Sequence, residues 1–171
     1  FLSVEDANGC STIAEATITD PLAITATNNV TSNYVGEDVS CFGASDGEAA
    51  VMADGGTSPY SYMWSANAFN QTTSVASSLS QGAYLVTVLD VNLCSEIVGV
   101  TVTQPPLLTI TAAILSSFNG EDISCNGTSD GTVGSTFNGG STPYSFVWGS
   151  SAGSVTTSSV SGISAGNYSV T

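Results

Sequence analysis

The sequence predicts an all-β protein made of tandem immunoglobulin-like Greek-key β-sandwich repeats. Three observations point there. First, the chain lies on itself without a gap at one fixed offset: Cys10 falls on Cys94, Cys41 on Cys125, Pro59-Tyr60 on Pro143-Tyr144 and Trp64 on Trp148. About 40% of the overlapping positions are identical, the mark of a repeat array. Second, each copy is a series of short β-branched and aromatic runs between turn residues, with no helical period. Third, Leu79-x-x-Gly82-x-Tyr84 and Ile163-x-x-Gly166-x-Tyr168 have the spacing of a tyrosine corner, in which a Tyr at the start of the sixth strand bonds back to upstream backbone.

Within one copy the elements read in order. Leu22–Thr31 is a first strand, rich in β-branched residues. Asn33–Gly47 is a polar, acidic connection. Glu48–Ala53 is a second strand, ended by the turn Asp54-Gly55-Gly56. Pro59 opens a third, Tyr60–Trp64, where a sandwich keeps its core aromatic. A weak Ser/Thr-rich stretch, Gln71–Ser78, precedes the strong strand Ala83–Leu89, with Tyr84, Val86 and Val88 on one face. Glu96–Thr103 is the last strand before the linker Gln104-Pro105-Pro106. The expectation is about seven short strands per unit, with Trp64, Tyr84, Trp148 and Tyr168 as structural residues.

This divides the chain into three parts: residues 1–21, the last strands of a preceding repeat; 22–105, a complete unit; and 106–171, a unit without its last strand. Neither end falls at a unit boundary, since Phe1-Leu2-Ser3-Val4 matches Leu85–Val88 and Tyr168–Thr171 matches Tyr84–Thr87. The expectation is either a window on a longer polymer or a subunit that completes its neighbours by strand exchange. Ser11–Thr19 is a free segment of the missing kind, so residues 1–21 of one copy are expected to complete 106–171 of the next, head to tail.

Composition narrows the function. The chain has 14 acidic residues and no Lys, Arg or His, a formal charge of −14. Nothing here neutralises phosphate, so nucleic acid is not a partner, and an anionic membrane surface is disfavoured. No sorting signal or membrane-spanning run is in view. Catalysis lacks a His base, a Lys nucleophile and an Arg clamp, and a carboxylate pair of the glycosidase type needs a cleft that so small a unit does not offer. The chain is therefore not expected to be an enzyme.

Two groups of residues are candidates for local chemistry. Cys10, Cys41, Cys94 and Cys125 recur at two equivalent places per period, which fits structural disulfides in an oxidising place or, alternatively, buried thiols. Cys41–Cys94 would close a loop in one unit, whereas Cys10–Cys41 or Cys94–Cys125 would staple neighbours; the connectivity stays open. Acidic residues kept in both copies are Glu37/Glu121, Asp38/Asp122, Asp46/Asp130 and Asp6/Asp90. The first three lie on the connection between strands one and two, and Asp90 lies at the opposite pole. Poles of neighbouring units meet in an array, so Glu37, Asp38, Asp46, Asp90, Glu121, Asp122 and Asp130 are candidate calcium ligands, set against the plainer reading as solvated turn formers. The triplets at Asn29, Asn70, Asn126 and Asn167 match the N-glycosylation pattern, but none recurs at the same place in both copies.

The run Ser40-Cys41-Phe42-Gly43-x-Ser45-Asp46-Gly47, then Gly55-Gly56-x-x-Pro59-Tyr60-x-Tyr62-x-Trp64, then Gly82-x-Tyr84-x-Val86-Thr87-Val88-x-Asp90-x-Asn92-x-Cys94 resembles the SprB-type repeat. That repeat recurs in very large surface adhesins of gliding bacteria of the Bacteroidota type. The second copy repeats the pattern from Ser124-Cys125-Asn126-Gly127 to Tyr168. Leu93, where the first copy has Gly9, and Asn126, opposite Phe42, depart from it. The resemblance implies an extracellular, cell-surface, sandwich-like module of a long adhesin or filament. The expected function is a structural repeat that joins further copies head to tail. The alternative is a polysaccharide-binding repeat that uses its aromatics as a sugar platform.

Overall fold

The computed structural model describes residues 2–171; Phe1, set opposite Leu85 by the repeat, lies outside the described residues. The described chain is all-β apart from two single 3₁₀ turns. It begins with a hairpin, β1 (Leu2–Glu5) paired antiparallel with β2 (Ser11–Ala14). Every described residue from 2 to 23 is exposed.

The next stretch forms six strands: β3 (Thr25–Val30), β4 (Gly47–Asp54), β5 (Ser61–Trp64), β6 (Val75–Leu79), β7 (Gly82–Leu89) and β8 (Ser95–Val102). They make two antiparallel three-stranded sheets, ordered β3-β4-β6 and β5-β7-β8. About seven strands were expected. The connection between β5 and β6 instead holds a 3₁₀ turn at Ala66–Ala68, and Phe69 after it takes the left-handed conformation that breaks a strand.

Alternation drives the packing. Gly47, Ala49 and Val51 of β4, Tyr84, Val86 and Val88 of β7, and Val100 and Val102 of β8 all point inward. With Trp64, Val39, Ala76 and Leu79 they form one core between the sheets. Asn28 of β3 ties the sheets at one edge by donating to the Gly99 carbonyl of β8 at 2.9 Å. Gly55 has φ +71°, and a Cβ there would collide with the Ala23 carbonyl oxygen, so this turn requires glycine.

In the second copy, β9 (Thr109–Ile114), β10 (Gly131–Asn138) and β11 (Ser159–Ile163) begin one period after β3, β4 and β6 and form a sheet in the same order. The opposite sheet is reduced to one bridge, Trp148 with Val170, flanked by backbone bonds between Val147 and Thr171 and between Gly149 and Ser169. Its core is correspondingly small: Trp148, Ala152, Val160 and Ile163.

Candidate assembly surface

The aromatic residues sit where the repeat pattern assigns them. Trp64 and Trp148 are buried, and their indole N–H groups donate to the Thr73 and Thr157 carbonyls, both at 2.9 Å. Tyr84 Oη donates to the Ser80 carbonyl at 2.7 Å and Tyr168 Oη to the Ser164 carbonyl at 2.7 Å. Both tyrosine corners are therefore closed.

The acidic residues sort by pole. Asp38, Asp46 and Glu37 lie beside the connection that follows β3, and Asp90 lies in the turn after β7. Asp38 holds the exit of β8, its Oδ2 accepting from Thr103 N at 2.8 Å and Thr103 Oγ1 at 2.6 Å. Asp46 accepts from Ser40 N at 3.0 Å. Hydrogen bonds from Ser40, hydroxyl first, hold the exposed Asp46 carboxyl below the ordinary value against a smaller desolvation effect. Asp130 is lowered in the same way, by the Ser124 hydroxyl against burial and then by Ser124 N–H and Thr128. Glu121 and Asp122 line the edge described below. Among the described residues no three His, Cys, Asp or Glu side chains converge.

Asp90 organises the opposite pole. Its Oδ1 accepts from Asn92 N and Cys94 N, both at 2.9 Å, and its Oδ2 from Thr57 N at 3.0 Å. Burial works to raise its pKa, but the bonds from Cys94, Thr57 and Asn92 prevail and lower it. Asn92 Nδ2 adds a bond to Thr57 Oγ1 at 3.1 Å. The turn after β7 is thus clamped onto Gly56-Thr57.

The cysteines correct an expectation. All four are free and exposed. Cys41 and Cys94 cannot close a loop in one unit, because they lie at opposite ends of it. Gly43 beside Cys41 bonds to Gln104 past the end of β8, while Cys94 sits where β8 begins. The length of β8 puts those ends about 23 Å apart, at about 3.3 Å per residue, far beyond disulfide reach. Cys125 occupies the place of Cys41 in the second copy, beside Thr128 and Asp130 at the end opposite the Gly139 turn, so Cys94–Cys125 would likewise join remote poles.

Sequence reasoning did not find the surface around β9, β10 and β11. Around β9, β10 and β11 a cavity of about 270 Å³ opens, lined by Ile114, Asp122, Ile123, Gly131, Ile163 and Tyr168. A second, of about 220 Å³, adjoins it over Ala112, Val133 and Trp148. In the first copy the same place is filled: a Cβ on Gly47, the counterpart of Gly131, would meet Val102 and Val39 side chains at 3.1 Å. The counterparts differ accordingly. Val39 and Tyr84 are buried, whereas Ile123 and Tyr168 are only half-buried. Ser141, the counterpart of Thr57, has a buried hydroxyl with no hydrogen-bond partner. No sequence signal marks Ser141; it stands out only beside the Thr57–Asn92 bond.

The SprB repeat family model matches residues 33–69 and 117–153, the second stretch one full period after the first. No curated protein matches the chain.

Proposed function

We propose that this chain, two stretches of which match the SprB repeat model, is a structural repeat of an extracellular filament or adhesin stalk that assembles head to tail. Each unit is read as an immunoglobulin-like Greek-key sandwich with an 84-residue period, a reading supported by the strand orders β3-β4-β6 and β5-β7-β8 and by the tyrosine corners. The observation that carries the assembly is the junction of the two units, where Cys41 and Phe42 of the first line one cavity with Leu108, Gly140 and Ser141 of the second across Pro105-Pro106. Repeated units joined by so short a linker stack through one recurring contact, so each further unit extends the array. The contact is heterologous, so it propagates as a fibre.

The burial of Trp64 and Trp148 favours this reading over a sugar-binding platform, which needs those rings exposed. Electron microscopy of concentrated protein tests it. Fibres should show an axial repeat of two units, roughly 80–100 Å at about 40–50 Å per sandwich. A chain that stays monomeric at every concentration refutes it.

A further inference from the structure

We propose that residues 103–106, between the two units, are a rigid coupling and not a hinge, so that the units turn as one body. The use of such a coupling rests on the stalk reading; its geometry does not. A short connection between two folded units ordinarily lets them swing. Here the connection is tied down residue by residue, first to the unit behind it and then to the unit ahead.

The first unit holds the near side. Thr103 donates to Asp38 Oδ2 from its N–H at 2.8 Å and from its hydroxyl at 2.6 Å. Gln104 follows, and its Oε1 accepts from Gly43 N at 2.9 Å. Both ties fasten the chain leaving β8 to the connection after β3. The partners lie 65 and 61 residues apart in sequence, so this strap is made by the folded unit and not by local turn chemistry. Pro105, the next residue, is fully buried.

The second unit holds the far side. Gly140 N donates to the Pro106 carbonyl at 2.8 Å. Gly139 has φ +76°, and a Cβ on it would stand 2.1 Å from the Leu107 carbonyl oxygen. The incoming backbone therefore occupies the space that a side chain would need, and only glycine admits it. Tyr144 Oη fixes this turn by donating to the Gly139 carbonyl at 2.6 Å. The first unit receives its own incoming chain in the same way. Gly56 N donates to the Leu22 carbonyl at 2.8 Å, and Gly55 faces the Ala23 carbonyl oxygen. The socket thus belongs to the repeat plan, not to one joint.

Little freedom remains between the two anchorages. The rings of Pro105 and Pro106 fix φ, and the residue before each proline is pushed to extended backbone. From Thr103 to Pro106 every residue is bonded across space or buried.

The test is double electron–electron resonance between nitroxide labels on the full chain. All four cysteines are exposed, so the native thiols supply the sites. Cys10→Ser with Cys41→Ser leaves Cys94 in the first unit and Cys125 in the second. Cys10→Ser with Cys125→Ser leaves Cys41 and Cys94 within one unit, a reference for label motion alone. The distance distribution between units should be about as narrow as the reference. Pro105→Gly with Pro106→Gly should broaden it at least about twofold and leave the reference unchanged, because glycine-rich linkers behave as flexible coil. Gln104→Ala should broaden it less. Trp64 and Trp148 are both buried, so unshifted tryptophan emission shows that each variant keeps its cores. A wild-type distribution as broad as that of the glycine variant overturns the coupling, and so does a glycine variant as narrow as wild type. The stalk reading survives either result, since flexibly joined units still build a stalk. A narrow distribution in a chain that forms no fibres leaves the coupling standing and sinks the stalk reading.

Discussion

A polypeptide of residues 1–171 alone should lose its second unit well before its first. The two copies share a fold plan but not a finished core. Val100 and Val102 of β8 are each 1% exposed in the first unit, and residues 106–171 alone hold no counterpart of either. Fully burying a Val contributes about 1.5–3 kcal/mol, so the deficit is about 3–6 kcal/mol before any loss of sheet bonds. A unit of this size is stable by only about 4–13 kcal/mol at about 0.05–0.15 kcal/mol per residue, so the deficit takes a large share. At about 4 °C or more per kcal/mol, the two midpoints should differ by at least about 12 °C. One tryptophan in each core makes the assay direct. Trp64→Phe leaves Trp148 to report on the intact second unit, and Trp148→Phe leaves Trp64 to report on the intact first. Thermal scans by fluorescence at low concentration should give the lower midpoint in Trp64→Phe. Coincident transitions at low concentration, or a second unit that melts last, would refute the reasoning.

Two further outcomes are expected. Trypsin should leave even the denatured chain at full length, because it contains no Lys or Arg; cleavage seen by mass spectrometry would contradict the sequence. Asp90 has its folded pKa lowered from the ordinary 3.8, so its bonds contribute fully above that value and are lost as pH falls through the lower, folded one. The urea-midpoint gap between wild type and Asp90→Asn should thus be constant near neutrality and shrink below about pH 4, while a gap that widens in acid would oppose the assignment.

Much of this protein was legible in its residues. Period-two alternation in Tyr84-Val86-Val88 named a buried strand face, because side chains on a strand alternate by geometry alone. The Leu79-x-x-Gly82-x-Tyr84 spacing named the tyrosine corner. These are local or compositional properties, which a chain carries before it folds. The pairings were not legible. That Cys41 and Cys94 stand at opposite ends of β8, that Asp90 clamps the distant Thr57, and that Ser141 is left with an unanswered hydroxyl all depend on which turns the two sheets bring together. Tertiary packing decides such contacts because hydrogen bonds and burial act across space between segments whose separation along the chain carries no signal.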